Sequence, residues 1–161
     1  MADTLKVTST LFDDGATIPK SAAHTYAGGD NVSPDLSWTG VPDGTQSLAV
    51  TCYDPDAPTT VGFVHWILFN LPPDTTSLPA GAGAQGRSPS GSVLGFTDWG
   101  ESQYGGMAPP PGDEPHHYLF TVYALDVPKL DAGATCTYAF FRFSIREHVL
   151  ATGTLTGRFG L

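Results

Sequence analysis

The sequence predicts a mainly β protein: an all-β core with one short helix near the C-terminus. Two observations carry this. The chain holds 19 Gly and 14 Pro against only 14% charged residues, and both residue types are costly inside a helix. Its confident apolar runs are also short and bounded by Pro or Gly turns, as strands are.

Leu5 to Leu11 alternates weakly and reads as an opening strand, followed by a Gly-, Asp- and Asn-rich stretch from Asp13 to Asp35. Leu36-Ser37-Trp38 is a short strand cut off by Gly40 and Pro42. Ser47 to Tyr53 is a strand that stops where Asp54-Pro55 forces a turn. Phe63 to Leu71 is another, ended by Pro72-Pro73. Residues 79–115 form a long Gly-, Pro- and Ser-rich region with at most short strands near Val93-Leu94 and Phe96, and a loop of that length in a compact domain is usually functional or disordered. Tyr118 to Leu125 is the third strong strand. Ser144-Ile145-Arg146-Glu147 has the form of a capping box, so a helix is expected to start there, with Ile145, Val149 and Leu150 as its apolar stripe and Gly153 as its stop. Thr154 to Phe159 returns as a final strand.

With 161 residues and no repeat, heptad or composition break, the chain reads as one domain, 1–161, able to bury a real core. Its net charge of −9 repels nucleic acid and anionic membrane surfaces, and its seven Lys and Arg are scattered. Nucleic-acid binding is not expected. Met1 to Thr10 has no apolar leader core and no run is long enough to span a bilayer, so a cytoplasmic address without integral membrane association is expected. Cys52 and Cys136 sit in apolar contexts and read as buried free thiols. Asn31-Val32-Ser33 matches a glycosylation sequon and is read as turn chemistry.

Two distant segments carry the chemistry. Asp54-Pro55-Asp56-Ala57-Pro58 is followed by His65, and Pro109-Pro110-Pro111-Gly112 by His116-His117-Tyr118. Each sets imidazole at or near the start of a strand behind a proline turn, and together they hold three of the five histidines. Side chains alternate along a strand. His116 and Tyr118 therefore share a face with Phe120 and Val122, while His117 points away. By the same rule His65 lies with Phe63, Ile67 and Phe69, opposite Val64, Trp66 and Leu68. Both faces of that strand are apolar, so it is covered on both sides.

If the strands are neighbours, Asp54, His65, His116 and Tyr118 converge on one polar pocket. The two histidines beside Asp54 would then offer N–H donors to a phosphate-like anion, with Tyr118 as a neutral donor and loop amides from Gly105 to Ala108 as further ones. Two His with one Asp also suit a facial-triad metal site, but no short H-x-H or H-x-x-E spacing supports it and no metal or other cofactor is expected. Gly86-Arg87-Ser88-Pro89-Ser90 is not a nucleophile elbow. No catalytic motif stands out.

These motifs resemble the phosphatidylethanolamine-binding protein family, also called Raf-kinase-inhibitor-like proteins, in its bacterial and archaeal branch. The matching pieces are Ser33-Pro34-Asp35-Leu36-Ser37-Trp38, Asp54 to Pro58, Val64-His65-Trp66, Tyr104-Gly105-Gly106 through Gly112, and His116-His117-Tyr118, in the family's order. The resemblance implies a β-sandwich with one or two short helices and a small anion pocket at one end, for phosphate, acetate or a phospholipid head group. Carried over by position, the pocket comprises Asp54, His65, His116 and Tyr118, with Pro58, Ala108 and Pro109 at the rim. It implies a non-enzymatic small-anion or phospho-ligand binding protein; a module inhibiting a kinase or protease is the alternative, and an enzyme using the pocket histidines a lesser one. A homodimer is a further expectation from the branch. His117 stands where the family commonly has arginine, and the chain ends soon after Phe159, without the extra C-terminal helix of animal members.

Overall fold

The computed structural model describes residues 5–161; Met1 to Thr4 lie outside the description, and with them the start of the leader reading and of the 1–161 domain span. The described residues fold as two antiparallel sheets with one short α-helix. The small sheet is formed by β1 (Lys6–Thr8), β2 (Leu36–Thr39) and β5 (Ser77–Leu78), in the order β1-β2-β5. The large sheet adds β3 (Ser47–Asp54), β4 (Phe63–Leu71), β6 (Val93–Leu94), β7 (His116–Leu125) and β8 (Val149–Phe159), in the order β6-β4-β3-β7-β8.

The main core lies between the sheets. Val7, Leu36, Trp38 and Leu78 of the small sheet close on Val50, Cys52, Trp66, Leu68, Phe120 and Val122 of the large one. The large sheet's outer face is covered too. Ala49, Ile67, Phe69, Tyr123 and Leu125 pack there against Leu130, Phe141 and Ile145. That second layer is why β3 and β4 read as nearly continuous apolar runs. It also sets Cys52 and Cys136 in separate clusters on opposite sides of the sheet, both as buried free thiols.

The segment before β2 crosses the sandwich edge against β8. Leu5 N–H donates to Thr152 O at 3.2 Å and Ile18 N–H to Arg158 O at 2.8 Å. Gly153 and Gly157 allow that approach, since a Cβ on either would stand 2.2 Å from Leu5 O or 2.3 Å from Ile18. Gly153, expected to end a helix, lies instead inside β8 opposite Val122.

The helix α1 spans Tyr138–Ile145, a full turn or more earlier than the capping box at Ser144 suggests. Thr137 is the cap: its hydroxyl accepts from Phe140 N–H at 3.2 Å. Ser144 sits in the last turn and donates to Phe140 O at 2.7 Å. The reason is tertiary. Val149 pairs with Leu125 and Leu150 belongs to the same strand, so the segment meant for the helix body is taken by β8. The apolar positions Phe141 and Ile145, four apart, put the helix on the sheet's outer face.

Candidate functional site

At one end of the sandwich the start of β7, the end of β3 and the start of β4 meet beneath two loops. Together they enclose a cavity of about 200 Å³. Asp54, His65, His116 and Tyr118 line it, as do Pro58, Ala108 and Pro109. The four polar residues are all buried.

β7 delivers His116 and Tyr118 by plain alternation. It pairs residue for residue with β3 over Leu119–Leu125 and with β8 from His116 to Ala124. The two rings stack 6.4 Å apart. His117 points outward, where its Nδ1 and its backbone N–H each lie 2.7 Å from Asp56 Oδ2.

β4 does not behave so simply. Trp66 pairs with Cys52 but Val64 pairs with Tyr53, leaving His65 as an extra residue in a β-bulge. Alternation therefore fails here. Val64 joins Ile67 and Phe69 in the outer cluster, while Trp66 and Leu68 join the inner one. His65 leaves the face assigned to it with Ile67 and Phe69 and turns to Tyr118, their rings edge to face with centroids 5.3 Å apart.

The long loop after β6 runs along the edge of β4 and caps the pocket. Asp98 anchors it, accepting from Val64 N–H at 2.7 Å and donating its own N–H to Val64 O at 3.1 Å. The amides of Gly105 and Gly106 are not free for a ligand as expected. Gly105 N–H donates to His65 O and Gly106 N–H to Asn31 Oδ1. These glycines turn their carbonyls inward instead, at 2.7 and 3.1 Å from His65 Nδ1. The turn role of the sequon is plain as well: Asn31 has φ +57° and Ser33 Oγ accepts from Gly83 N–H.

Protonation follows from these contacts. Carbonyls only accept, so His65 Nδ1 carries the hydrogen. The 3.4 Å approach of Trp99 Nε1 to that nitrogen is then a contact between two N–H groups and not a hydrogen bond. Burial, the largest influence, lowers the His65 pKa against the opposing pull of the glycine carbonyls and Asp54. A neutral ring with Nδ1–H leaves Nε2 as an acceptor.

His116 is the reverse case. Nδ1 lies 2.7 Å from Asp54 Oδ2 and Nε2 lies 3.0 Å from Asp113 Oδ2. Carboxylates also only accept, so both nitrogens carry hydrogens and the ring is an imidazolium. Burial opposes that charge, but the hydrogen bonds to Asp54 and Asp113 outweigh it and raise the pKa. Asp54 is fixed in turn: its Oδ1 accepts from Asp56 N–H at 2.8 Å and Ala57 N–H at 3.1 Å. It is turn former and pocket carboxylate together. Burial and the nearby Asp54 charge push the Tyr118 phenol far up, so it stays a neutral donor.

Sequence reasoning missed four contributors. Phe63 and Trp99 form the aromatic wall, 5.3 Å apart, with His24 stacked 4.0 Å behind Trp99. Asp113 reaches His116 from the proline loop. The signals were a lone Trp in a polar loop and an acid three residues before a histidine, and neither is specific without the fold.

The model of the phosphatidylethanolamine-binding proteins matches residues 8–160. The chain is 43% identical over 160 residues to the UPF0098 protein YbhB of Escherichia coli, covering 96% of this chain and 99% of that one. The crystal structure of E. coli YbcL, described as a new member of the mammalian PEBP family, superposes with a TM-score of 0.94 at 39% identity, covering 98% of this chain and 99% of YbcL. CT736 of Chlamydia trachomatis, a homologue of the same kind, gives a TM-score of 0.84 at 31% identity, with 99% of each chain covered.

Proposed function

The chain belongs to the phosphatidylethanolamine-binding protein family, in the UPF0098 branch with YbhB and YbcL, and on that premise we propose that it is a non-enzymatic binding protein for a small phosphate-type anion. One observation carries the reading: the buried His116 ring, held between the Asp54 and Asp113 carboxylates and on that ground assigned as an imidazolium, lines a cavity of about 200 Å³ beside the Tyr118 hydroxyl. The ligand's oxygen takes hydrogen bonds from His116 Nε2–H and Tyr118 O–H, and a protonated oxygen or an N–H of the ligand donates to His65 Nε2. Such a site favours a phosphomonoester or hydrogen phosphate, which carries acceptors and a donor together. The name of the family points to a phospholipid head group of this chemistry.

Titrating inorganic phosphate and phosphoethanolamine into wild type, Tyr118→Phe and His65→Ala tests this by calorimetry and NMR. Tyr118→Phe should weaken binding by roughly three- to tenfold, the value of one hydrogen bond. Equal affinity in all three proteins would remove the pocket from the account.

A second reading, inhibition of a protein partner through the pocket mouth, is favoured by Tyr26, which is 81% exposed and packs edge-on against Trp99. Retention of a partner by Tyr26→Ala would count against it.

A further inference from the structure

We propose that Asp113 is a built-in competitor for the pocket's anion: its carboxylate occupies His116 Nε2, the donor an incoming oxyanion needs, and the ligand binds by displacing it. This rests on the phospho-ligand reading above and names the residue that sets affinity within it.

The two carboxylates on His116 differ in every other respect. Asp54 is buried, and its second oxygen is held by two backbone amides. It cannot leave without opening the turn after β3. Asp113 is exposed, and among the described residues its side chain has no hydrogen-bond partner but His116. It sits in residues 110–115, a run exposed throughout. Gly112 adopts φ +91° and has nothing within 4 Å of its Cβ position, so the tip of the turn next to Asp113 faces open space. Its ties are Asp113 N–H to Pro110 O at 3.2 Å and Gly112 N–H to Leu161 O at 3.5 Å.

Charge gives the contact its consequence. With Asp113 in place the trio Asp54, His116 and Asp113 sums to one negative charge. With it swung outward the pair Asp54 and His116 is neutral, and Nε2–H is free to donate. The pair is half-buried, with His116 inside and Asp113 on the exposed side, and a ligand oxyanion with more partners in the cavity displaces this single carboxylate contact. A ligand bearing an ammonium beside its phosphate gives the displaced carboxylate a new partner; inorganic phosphate does not.

The test is titration of inorganic phosphate and of phosphoethanolamine into wild type, Asp113→Asn and Asp113→Ala. Calorimetry reads affinity and the His116 ring signals in NMR report occupancy. Because Asp113 is on an exposed loop, both variants should fold as wild type. Both should bind phosphate roughly five- to tenfold tighter. A smaller gain for phosphoethanolamine marks an amine-bearing head group as the ligand class, and an equal gain marks a simple oxyanion; either supports the competitor role. Unchanged or weaker phosphate binding in both variants, with wild type binding in a Tyr118-dependent way, overturns the proposal and leaves the phospho-ligand reading standing. Failure of all three proteins to bind either probe removes both.

Discussion

His65 meets Tyr118 edge to face, at 5.3 Å and 74°, because β4 carries one more residue than its partner strand between Val64 and Trp66. The bulge aims the imidazole into the pocket, and the carbonyls of Gly105 and Gly106 then fix its tautomer.

Tyr118 should therefore separate stability from binding. Its ring is in the main core, while its hydroxyl lines the pocket beside the Asp54 carboxylate. Tyr118→Phe should unfold in urea within about 1 kcal/mol of wild type while losing ligand affinity. Tyr118→Ala should cost about 3–5 kcal/mol, as truncation of a buried aromatic does.

The two pocket histidines should bend the pH profile in opposite directions. Burial holds the His65 pKa below its ordinary value, so the unfolded chain binds more protons there. Stability from this group is lost as pH falls below about 6.5, toward the folded value. For His116 burial works the same way but is outweighed by Asp54 and Asp113, and the pKa is raised. Its contribution is full below about 6.5 and is lost as pH rises through the folded value. Urea melts across pH 5 to 9 should show both limbs. Asp54→Asn should flatten the alkaline limb and lower the His116 pKa read by NMR; an unchanged alkaline limb would contradict the ion pair.

The loop over the pocket should be intolerant at one glycine in a way that differs from its neighbour. A Cβ on Gly106 would lie 2.2 Å from the backbone oxygen of Ala22, which cannot swing aside. Gly106→Ala should cost about 3 kcal/mol or more. A Cβ on Gly105 would lie 2.1 Å from Trp99 Cδ1. Gly105→Ala should push that side chain off the pocket wall and shift tryptophan fluorescence, at a lower cost in stability.

The helix start can be checked by its caps. Thr137→Ala should destabilise by about 1 kcal/mol, since it removes the acceptor for Phe140 N–H. Ser144→Ala should stay within about 0.5 kcal/mol, because Ser144 lies in the last turn and only bonds back to Phe140 O. Chemical denaturation of the two variants decides between the caps.

Much of this protein was legible from residue order alone. The fold class, the two-sided burial of β4 and the pairing of His116 with Tyr118 on one face follow from local properties: apolar runs, proline turns and alternation along an uninterrupted strand. The long β7 ladder keeps that alternation intact. Its motif resemblance then gathered Asp54, His65, His116 and Tyr118 into one pocket, and the fold brings them to one cavity.

What alternation could not supply is set by partners far away in sequence. The bulge at His65 is a mismatch between two strands and has no signature in β4 itself. The helix begins at Thr137 and not Ser144 because Val149 is needed opposite Leu125. Gly105 and Gly106 present carbonyls where free amides were expected, since His65 O and Asn31 claim their N–H groups. Asp113 reaches His116 through a turn whose geometry no periodicity describes. Local pattern determined which side chains are buried and polar. Tertiary contact decided which way each one points and which of its hydrogens is already spoken for.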